Sequence, residues 1–524
     1  MEEKRQAQKW MITLTVMSGM IMSALDMSIV NVALPHMRGS LGASVEEITW
    51  VSTGYILSNV IIMPIVAFLS SRFGRKNFYI FSVLLFTGSS MLCGVAWDLS
   101  SMIIFRILQG IGGGALIPLS QSILRETYPP EEQAMAMGIY GMGIVLGPAL
   151  GPTLGGWLTD NYSWPWIFYI NVPIGIINIL MIMRYIEDPH FLVRETGKAD
   201  APGLFFMICG LGALQIMLEQ GEQCDWFESD FIIYLTVVAV VGLVLFVWRE
   251  LKTERPAVNL RILKNVSFTS ATFLGGVLGL ALYSSLFVLP LLLQQLLGYT
   301  AFDSGLILMP RSLAMAVALP ISGRLYNRIG PKFLIGAGLF LNAVSFYQLS
   351  ILSLDVGFWD ILFPQFLQGV GFGMIFVSLS TAALSTIEKN LLTAAAGLYN
   401  VVRQVFGSVG IALAATILIR GENFHRARLM EHITIFSDKT INTLNSLTHY
   451  FYSRGMDMAD AQSKALKAIE GIVMRQASMI SFNYVFFLIA VLFALSIPLI
   501  FLITDPQRDM NSQEIGESVS GKRT

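Results

Sequence analysis

The hydrophobic residues of this chain are gathered into long runs that are separated by short polar stretches. Fourteen such runs occur, with centres near residues 22, 58, 87, 113, 147, 175, 210, 240, 279, 315, 343, 371, 406 and 491. A helix of about 20 mainly apolar residues is long enough to cross the hydrocarbon core of a bilayer. The pattern therefore predicts an all-α membrane protein with 14 transmembrane helices.

The composition agrees with this prediction and excludes several other classes of protein. The chain is 54% hydrophobic and 13% charged, about half the charge content of an average soluble protein. Its formal net charge is -1 and its basic residues are scattered, so no nucleic-acid partner is expected. The cysteines Cys93, Cys209 and Cys224 have neither metal-ligand spacing nor a disulfide framework. We therefore expect no metal and no cofactor.

The loops between the runs indicate how the chain is oriented. Nearly all Lys and Arg residues of the short loops lie on the side of the N-terminus, whereas the short loops of the other side carry only Arg38. Basic loops stay on the cytoplasmic side of a membrane. Both termini are therefore predicted to be cytoplasmic.

Three short segments recur along the chain in the same order. Residues 71–76, S-R-F-G-R-K, match N-R-I-G-P-K at 327–332; R-I-L-Q-G-I-G-G-G at 106–114 matches Q-F-L-Q-G-V-G-F-G at 365–373; A-M-G-I-Y at 136–140 matches A-A-G-L-Y at 395–399. Repeats at one offset indicate a duplicated unit. We predict an N-terminal six-helix bundle over 1–186, a linker with two extra transmembrane helices over 187–265, and a C-terminal six-helix bundle over 266–524.

This organisation resembles the major facilitator superfamily, in which two parallel six-span repeats enclose a central substrate site. The first run adds a narrower resemblance, because L-D-M-S-I-V-N-V-A-L-P at 25–35 is similar to the first-span signature of the fourteen-span drug:proton antiporters. The stretches L-I-P-L-S-Q-S at 116–122 and N-Y-S-W-P-W-I-F-Y-I-N-V-P-I-G at 161–175 resemble the EmrB-type multidrug exporters of that branch.

Asp26 lies inside the first apolar run, where a carboxylate is costly and marks a candidate functional site. Arg106 lies at a similar depth in the fourth run, within a stretch that resembles the antiporter motif with an intramembrane arginine. Burial favours the neutral form of a carboxyl group and a nearby arginine favours its charged form. We predict that Asp26 and Arg106 carry proton coupling. The alternative is a permanent structural ion pair.

Two further motifs indicate residues that act in conformational change. The loop A-F-L-S-S-R-F-G-R-K at 67–76 resembles the loop after the second span of major facilitators, with Ala67 and Ser71 departing from the pattern. It predicts a latch formed by Arg72, Gly74 and Arg75; ordinary membrane anchoring by its cations is the alternative. The fifth run resembles the glycine-rich antiporter signature. Its candidate residues, which are expected to form a groove for close helix packing, are Gly143, Gly147, Pro148, Gly151 and Gly155; a role in packing alone is the alternative.

The substrate cavity has weaker candidates. Asn31, Gln109, Gln365 and Arg403 are polar residues of apolar runs and are the expected lining residues. Arg403 is equally explained by a structural role, and Arg311 has no assigned role. The C-terminal half has no acid that corresponds to Asp26. Proton coupling is therefore expected in the N-terminal half.

The resemblance implies a proton-coupled multidrug efflux antiporter that exports lipophilic toxic compounds across the bacterial inner membrane. It also implies a tripartite pump, with a periplasmic membrane-fusion adaptor and an outer-membrane channel as partners. The adaptor is expected to dock on the long outer-side loop 421–477, although that loop could equally form a solvated cap.

Two other functions compete with this prediction. One is dedicated proton-coupled export of an endogenous lipid, siderophore or metabolite, and the other is a non-transporting membrane sensor or scaffold. An ATP-driven pump and an enzyme are not expected, because the sequence has no Gly-x4-Gly-Lys-Ser/Thr loop and no constellation of nucleophile, base and orienting group.

Overall fold

A computed structural model describes residues 2–189, 200–253, 256–434 and 436–504 of the chain. In this part of the chain, 14 helices are long and apolar enough to cross a membrane, which confirms the predicted number. We call them spans 1 to 14 in chain order: Gln6–Leu41, Glu46–Phe73, Arg75–Gly94, Leu99–Thr127, Pro130–Asn161, Trp166–Tyr185, Ala201–Gln220, Asp230–Lys252, Val266–Leu296, Asp303–Ile329, Pro331–Ser350, Phe358–Ser385, Lys389–Met430 and Met458–Leu502. The predicted cytoplasmic C-terminus, beyond residue 504, lies outside the described residues.

Local sequence determines several of the span ends. Span 4 begins after Asp98, whose side chain accepts a 2.7 Å hydrogen bond from the Ser101 amide, as an N-cap residue does. Gly74 ends span 2 with φ of 84°, and Gly330 ends span 10 with φ of 81°. A side chain would strain both positions, because only glycine adopts positive φ at little cost. The two turns of the sequence repeat therefore have the same backbone geometry.

Corresponding spans of the two halves pack in the same pairs. Span 1 packs on span 5, span 3 on span 4 and span 2 on span 4; the C-terminal half repeats these contacts as 9 on 13, 11 on 12 and 10 on 12. This packing agrees with the predicted fold class of two six-helix bundles and two inserted helices. The exact bundle boundaries at residues 186 and 266 stay a prediction.

The inserted spans 7 and 8 pack closely against each other, and span 7 bridges the two halves. Gly210 and Gly242 allow their backbones to touch, since a Cβ atom on Gly242 would lie 2.9 Å from Gly210 Cα. Gln215 of span 7 donates a 2.8 Å hydrogen bond to Ser408 of span 13. Span 7 also packs against span 2. The insertion therefore lines one side of the seam between the halves.

Direct hydrogen bonds between the halves lie on one side of the molecule, which we call the N-terminal face because span 1 begins there. Asn400 of span 13 donates to Gln121 of span 4 at 2.7 Å, and Arg125 donates to the Thr381 carbonyl at 3.1 Å. Thr393 lies within hydrogen-bonding distance of Ser122, at 3.2 Å. Among the described residues, no hydrogen bond joins spans 1–6 directly to spans 9–14 at the opposite, far face. The molecule is closed on its N-terminal face.

Spans 13 and 14 are far longer than a bilayer requires. They contain 42 and 45 residues, whereas about 20 residues cross the hydrocarbon core. Their extra turns project beyond the far face, joined by the helix Asp438–Tyr452 and by an ion pair between Arg426 and Glu470. The segment 421–477, expected as a loop, is thus mainly helical. We call it the far-face extension.

Candidate functional site

A buried polar layer joins spans 1, 4 and 6 in the N-terminal half. It consists of Asp26, Arg106, Gln109 and Asn171, each of which is at most 1% exposed. We call these four residues the Asp26 layer. Spans 1 and 4 run in opposite directions, so residues at similar distances from the far face can meet. The expectation that Asp26 and Arg106 share a depth in the membrane agrees with this arrangement.

Asp26 is held by three donors. Arg106 Nη1 lies 2.5 Å from Asp26 Oδ2. Gln109 Nε2 and Asn171 Nδ2 donate to the other carboxylate oxygen, Oδ1, at 2.8 and 3.2 Å. Hydrogen bonds of this kind stabilise a carboxylate in a dry environment. Both oxygens of Asp26 are therefore satisfied when it is charged.

Arg106 has further partners that do not depend on Asp26. Its Nη1 also donates to Gln109 Oε1 at 2.7 Å, and its Nε donates to the Val51 carbonyl at 3.1 Å. The guanidinium carbon lies 4.3 Å from the centre of the Tyr55 ring, close enough for a cation–π interaction. Arg106 therefore has polar and aromatic partners besides Asp26.

The glycines of span 5 form the surface against which span 1 packs beside Asp26. A Cβ atom on Gly147 would lie 2.5 Å from the Ala24 carbonyl carbon, and one on Gly155 would lie 2.9 Å from the Ile29 carbonyl oxygen. Ser28 also donates a 3.0 Å hydrogen bond to the Gly147 carbonyl. Gly143 and Gly151 face Met20 and Ser28, and Pro148 lies in the same helix. The backbone of span 5 is thus in direct contact with the part of span 1 that carries Asp26.

The loop predicted to act as a latch lies at the seam between the halves. Arg75 is 3% exposed and forms an ion pair with Glu126 at the end of span 4. Its Nη2 donates to Thr393 Oγ1 of the C-terminal half at 3.2 Å. Arg72 lies in the last turn of span 2, two residues before Gly74. Arg75 therefore connects the loop to both halves in this conformation.

The four candidate cavity residues lie in different environments. Asn31 is exposed near the end of span 1 and accepts a 2.9 Å hydrogen bond from Ser52. Gln109 belongs to the Asp26 layer, and Gln365 donates a long 3.4 Å hydrogen bond to Gln368. Arg403 is 8% exposed, with its guanidinium carbon 5.3 Å from the centre of the Phe376 ring. The structure therefore does not gather the four residues into one cluster.

Three polar residues of the spans were not among the sequence candidates. Asn171 joins the Asp26 layer, and Glu126 pairs with Arg75. Glu219 lies near the end of span 7 and accepts a 2.9 Å hydrogen bond from Gln215. A polar residue within an apolar run was the available signal for Asn171 and Glu219. The partners of Asn171 come from other helices, and the sequence gives no signal for them.

Comparison with known proteins gives one consistent result. The sequence profile of the Major Facilitator Superfamily matches residues 16–411. The fatty acid resistance protein FarB of Neisseria gonorrhoeae is 37% identical over 508 residues, which cover 96% of this chain and 97% of FarB. The multidrug export protein EmrB of Escherichia coli K12 is 34% identical over 501 residues, which cover 95% of this chain and 96% of EmrB.

A solved structure agrees at the level of the fold. The human organic anion transporter MFSD10 superimposes with a TM-score of 0.61, covering 94% of this chain and 99% of MFSD10. Its sequence identity to this chain is 13%. This similarity concerns the arrangement of the helices alone.

Proposed function

The chain belongs to the major facilitator superfamily of transporters, and from this membership we propose that it is a proton-coupled antiporter that exports lipophilic toxic compounds across the bacterial inner membrane. The names of its relatives, a multidrug export protein and a fatty acid resistance protein, describe processes that such export explains. Both termini are proposed to be cytoplasmic, so the N-terminal face is the cytoplasmic face.

The Asp26 layer is the observation that supports proton coupling. Asp26 is fully buried in a membrane span, and its counter-ion Arg106 has hydrogen-bond partners besides Asp26. An intramembrane carboxylate of this kind is costly and typical of proton relays. Asp26 is proposed to load a proton from one side and release it to the other, with Arg106 as its counter-ion.

The glycine face of span 5 links this site to conformational change. Span 1 lies directly on Gly147, Gly151 and Gly155, so a movement of span 5 must displace the backbone around Asp26. Arg72, Gly74 and Arg75 are proposed to hold the N-terminal face closed, through contacts such as that between Arg75 and Thr393. Opening of this face would break that contact.

The far-face extension supports the proposal of a tripartite pump. It projects beyond the membrane and exposes large apolar side chains, among them Phe436 at 89% and Met458 at 62%. Exposed apolar surface of this kind is typical of protein interaction sites. A periplasmic membrane-fusion adaptor is the proposed partner there, joined to an outer-membrane channel.

The test is a proton-flux assay in everted membrane vesicles that are acidified inside. A panel of lipophilic cations, neutral compounds and weak acids is added to vesicles with the wild type, with Asp26→Asn, or with Asp230→Asn. Asp230 is an exposed carboxylate at the start of span 8, so it controls for the substitution itself. We expect the panel to release protons through the wild type and Asp230→Asn, and not through Asp26→Asn.

Two results would contradict the proposal. If Asp26→Asn supports the same proton release as the wild type, then Asp26 is a structural partner of Arg106. If the wild type gives no release with any compound of the panel, the protein is not a multidrug:proton antiporter. Release by a single native lipid, siderophore or metabolite would then indicate a dedicated exporter.

A further inference from the structure

The insertion holds a buried carboxyl group that, unlike Asp26, has no ion-pair partner. Glu250 lies near the end of span 8, at the N-terminal face, and is 1% exposed. Its Oε2 accepts a 3.3 Å hydrogen bond from the amide of Val258. Val258 belongs to the segment 256–265 that leads into span 9, which we call the connector. Among the described residues, Glu250 Oε1 is buried without any hydrogen-bond partner, and Glu250 forms no ion pair.

A second carboxyl group lies beside this unpartnered oxygen. Asp200 directly precedes span 7 and is 7% exposed. A Cβ atom on Gly203 would lie 2.8 Å from Asp200 Oδ2 and 2.9 Å from Glu250 Oε1, so both oxygens border the same small space beside the Gly203 backbone. Two carboxyl groups that share one site resist ionising together, because the second negative charge is repelled by the first. One of these two groups is therefore expected to hold a proton.

Arg249 neutralises Asp200 and leaves Glu250 uncompensated. Its Nε lies 3.1 Å from both carboxylate oxygens of Asp200, and its Nη2 lies 3.0 Å from Oδ1. Thr253 Oγ1 donates a further 3.2 Å hydrogen bond to Asp200 Oδ2. In the described part of the chain, Asp200 and Arg249 are the charged groups that act on Glu250. Because the donors around Asp200 stabilise its charged form, the proton belongs on Glu250.

The other elements around Glu250 present apolar or otherwise occupied groups. Val258 of the connector shares an apolar cluster with Phe246 of span 8 and Ile65 of span 2. Arg261, a cation of the connector, directs its Nη2 to the Thr253 carbonyl at 3.1 Å. An ionised carboxylate in such surroundings is costly unless it is paired. A proton removes this cost without any change in the packing.

Glu250 lies where the insertion meets connections to both halves. Its bond to Val258 attaches the connector, which continues into span 9 at Val266. The apolar cluster around Val258 also contains side chains of span 2 in the N-terminal half. This site lies on the N-terminal face, which is the closed side of the molecule. The charge of Glu250 is therefore placed to affect how the connector is held in this conformation.

We propose that Glu250 Oε1 binds a proton in this conformation and that this proton keeps the connector docked on the insertion. The neutral carboxyl group removes the uncompensated charge and can donate a hydrogen bond, which a carboxylate cannot. A metal ion fits less well, because such ions take several oxygen ligands and the described residues contain no group of three or more His, Cys, Asp or Glu that could hold one. The site lies outside the Asp26 layer, and the inference does not depend on the proposed export function.

Docking of the connector should then weaken as the pH at the N-terminal face rises. The docked connector holds the proton on Glu250, whereas an undocked connector exposes the carboxyl group to water, where it ionises at neutral pH. The docked form therefore binds more protons than the undocked form, so its stability decreases with increasing pH. Release of one proton changes the docking equilibrium by at most about tenfold per pH unit.

Infrared spectroscopy of the purified full-length protein in detergent at neutral pH tests the proton itself. A protonated carboxyl group has a C=O stretching band that a carboxylate lacks. The variants are Glu250→Gln and the control Glu228→Gln, which changes an exposed acid between spans 7 and 8. We expect the difference between wild type and Glu250→Gln to contain this band, shifted in heavy water, and the difference with Glu228→Gln to lack it. Absence of the band from the first difference would show that Glu250 is ionised and would overturn the proposal.

Hydrogen exchange of the Val258 amide tests the docking. It is followed by mass spectrometry of peptides that contain Val258, between about pH 6 and about pH 9, with the intrinsic effect of pH on exchange removed. Protection in the wild type and in Glu228→Gln should fall as the pH rises, whereas protection in Glu250→Gln, whose side chain is neutral at every pH, should change less. If the wild type and Glu250→Gln respond to pH in parallel, the proton does not hold the connector and the inference is wrong. Neither measurement uses transport, so a failure of the proposed export function would leave both results interpretable.

Discussion

At the scale of single residues, the sequence predicted the two charged members of the Asp26 layer but not Asn171 of span 6. Asp26 and Arg106 are rare charges in apolar runs at similar depth, so their proximity could be inferred. Asn171 is one of several polar residues in the spans, and only the packing of span 6 brings its Nδ2 to 3.2 Å from Asp26. Which polar residue faces a charge depends on helix rotation, which a run of apolar residues does not determine.

Asn171 provides a prediction about this layer. Asn171→Ala removes a donor to the Asp26 carboxylate and to Ser90, so compound-driven proton release should fall by about tenfold. Initial rates in everted vesicles, corrected for the amount of protein, measure the change. The matched control is Asn178→Ala in the same span, because Asn178 donates to Thr15 and Ser18 of span 1 but not to a carboxylate. If both variants lose the same activity, Asn171 acts only in packing.

At the scale of helices, the sequence predicted the number of spans and located them, but not where all of them end. Span 1 continues through Pro35 to Leu41, and most of the segment 421–477 is helical. Apolar runs identify only the part of a helix that lies in the membrane. The polar turns of spans 13 and 14 outside the membrane have no such signal, so their extension had to come from the structure.

The glycine face of span 5 gives a prediction for a single helix contact. Gly147→Ala inserts a methyl group 2.5 Å from the Ala24 carbonyl carbon, and such overpacking costs about 1–3 kcal/mol. The melting temperature of the purified protein should fall, and so should compound-driven proton release. Gly156→Ala is the control, because its methyl group would lie 4.0 Å from Val32 Cγ1. Unchanged stability of Gly147→Ala would show that spans 1 and 5 are not in close contact in the membrane.

At the scale of the whole molecule, the sequence repeat predicted two parallel halves, because matching loops at one offset must share topology. The closed N-terminal face could not be predicted. An alternating transporter adopts at least two arrangements of the same halves, and one sequence must be compatible with each. Contacts such as Asn400 to Gln121 belong to one of these arrangements, so only a structure in that state reveals them.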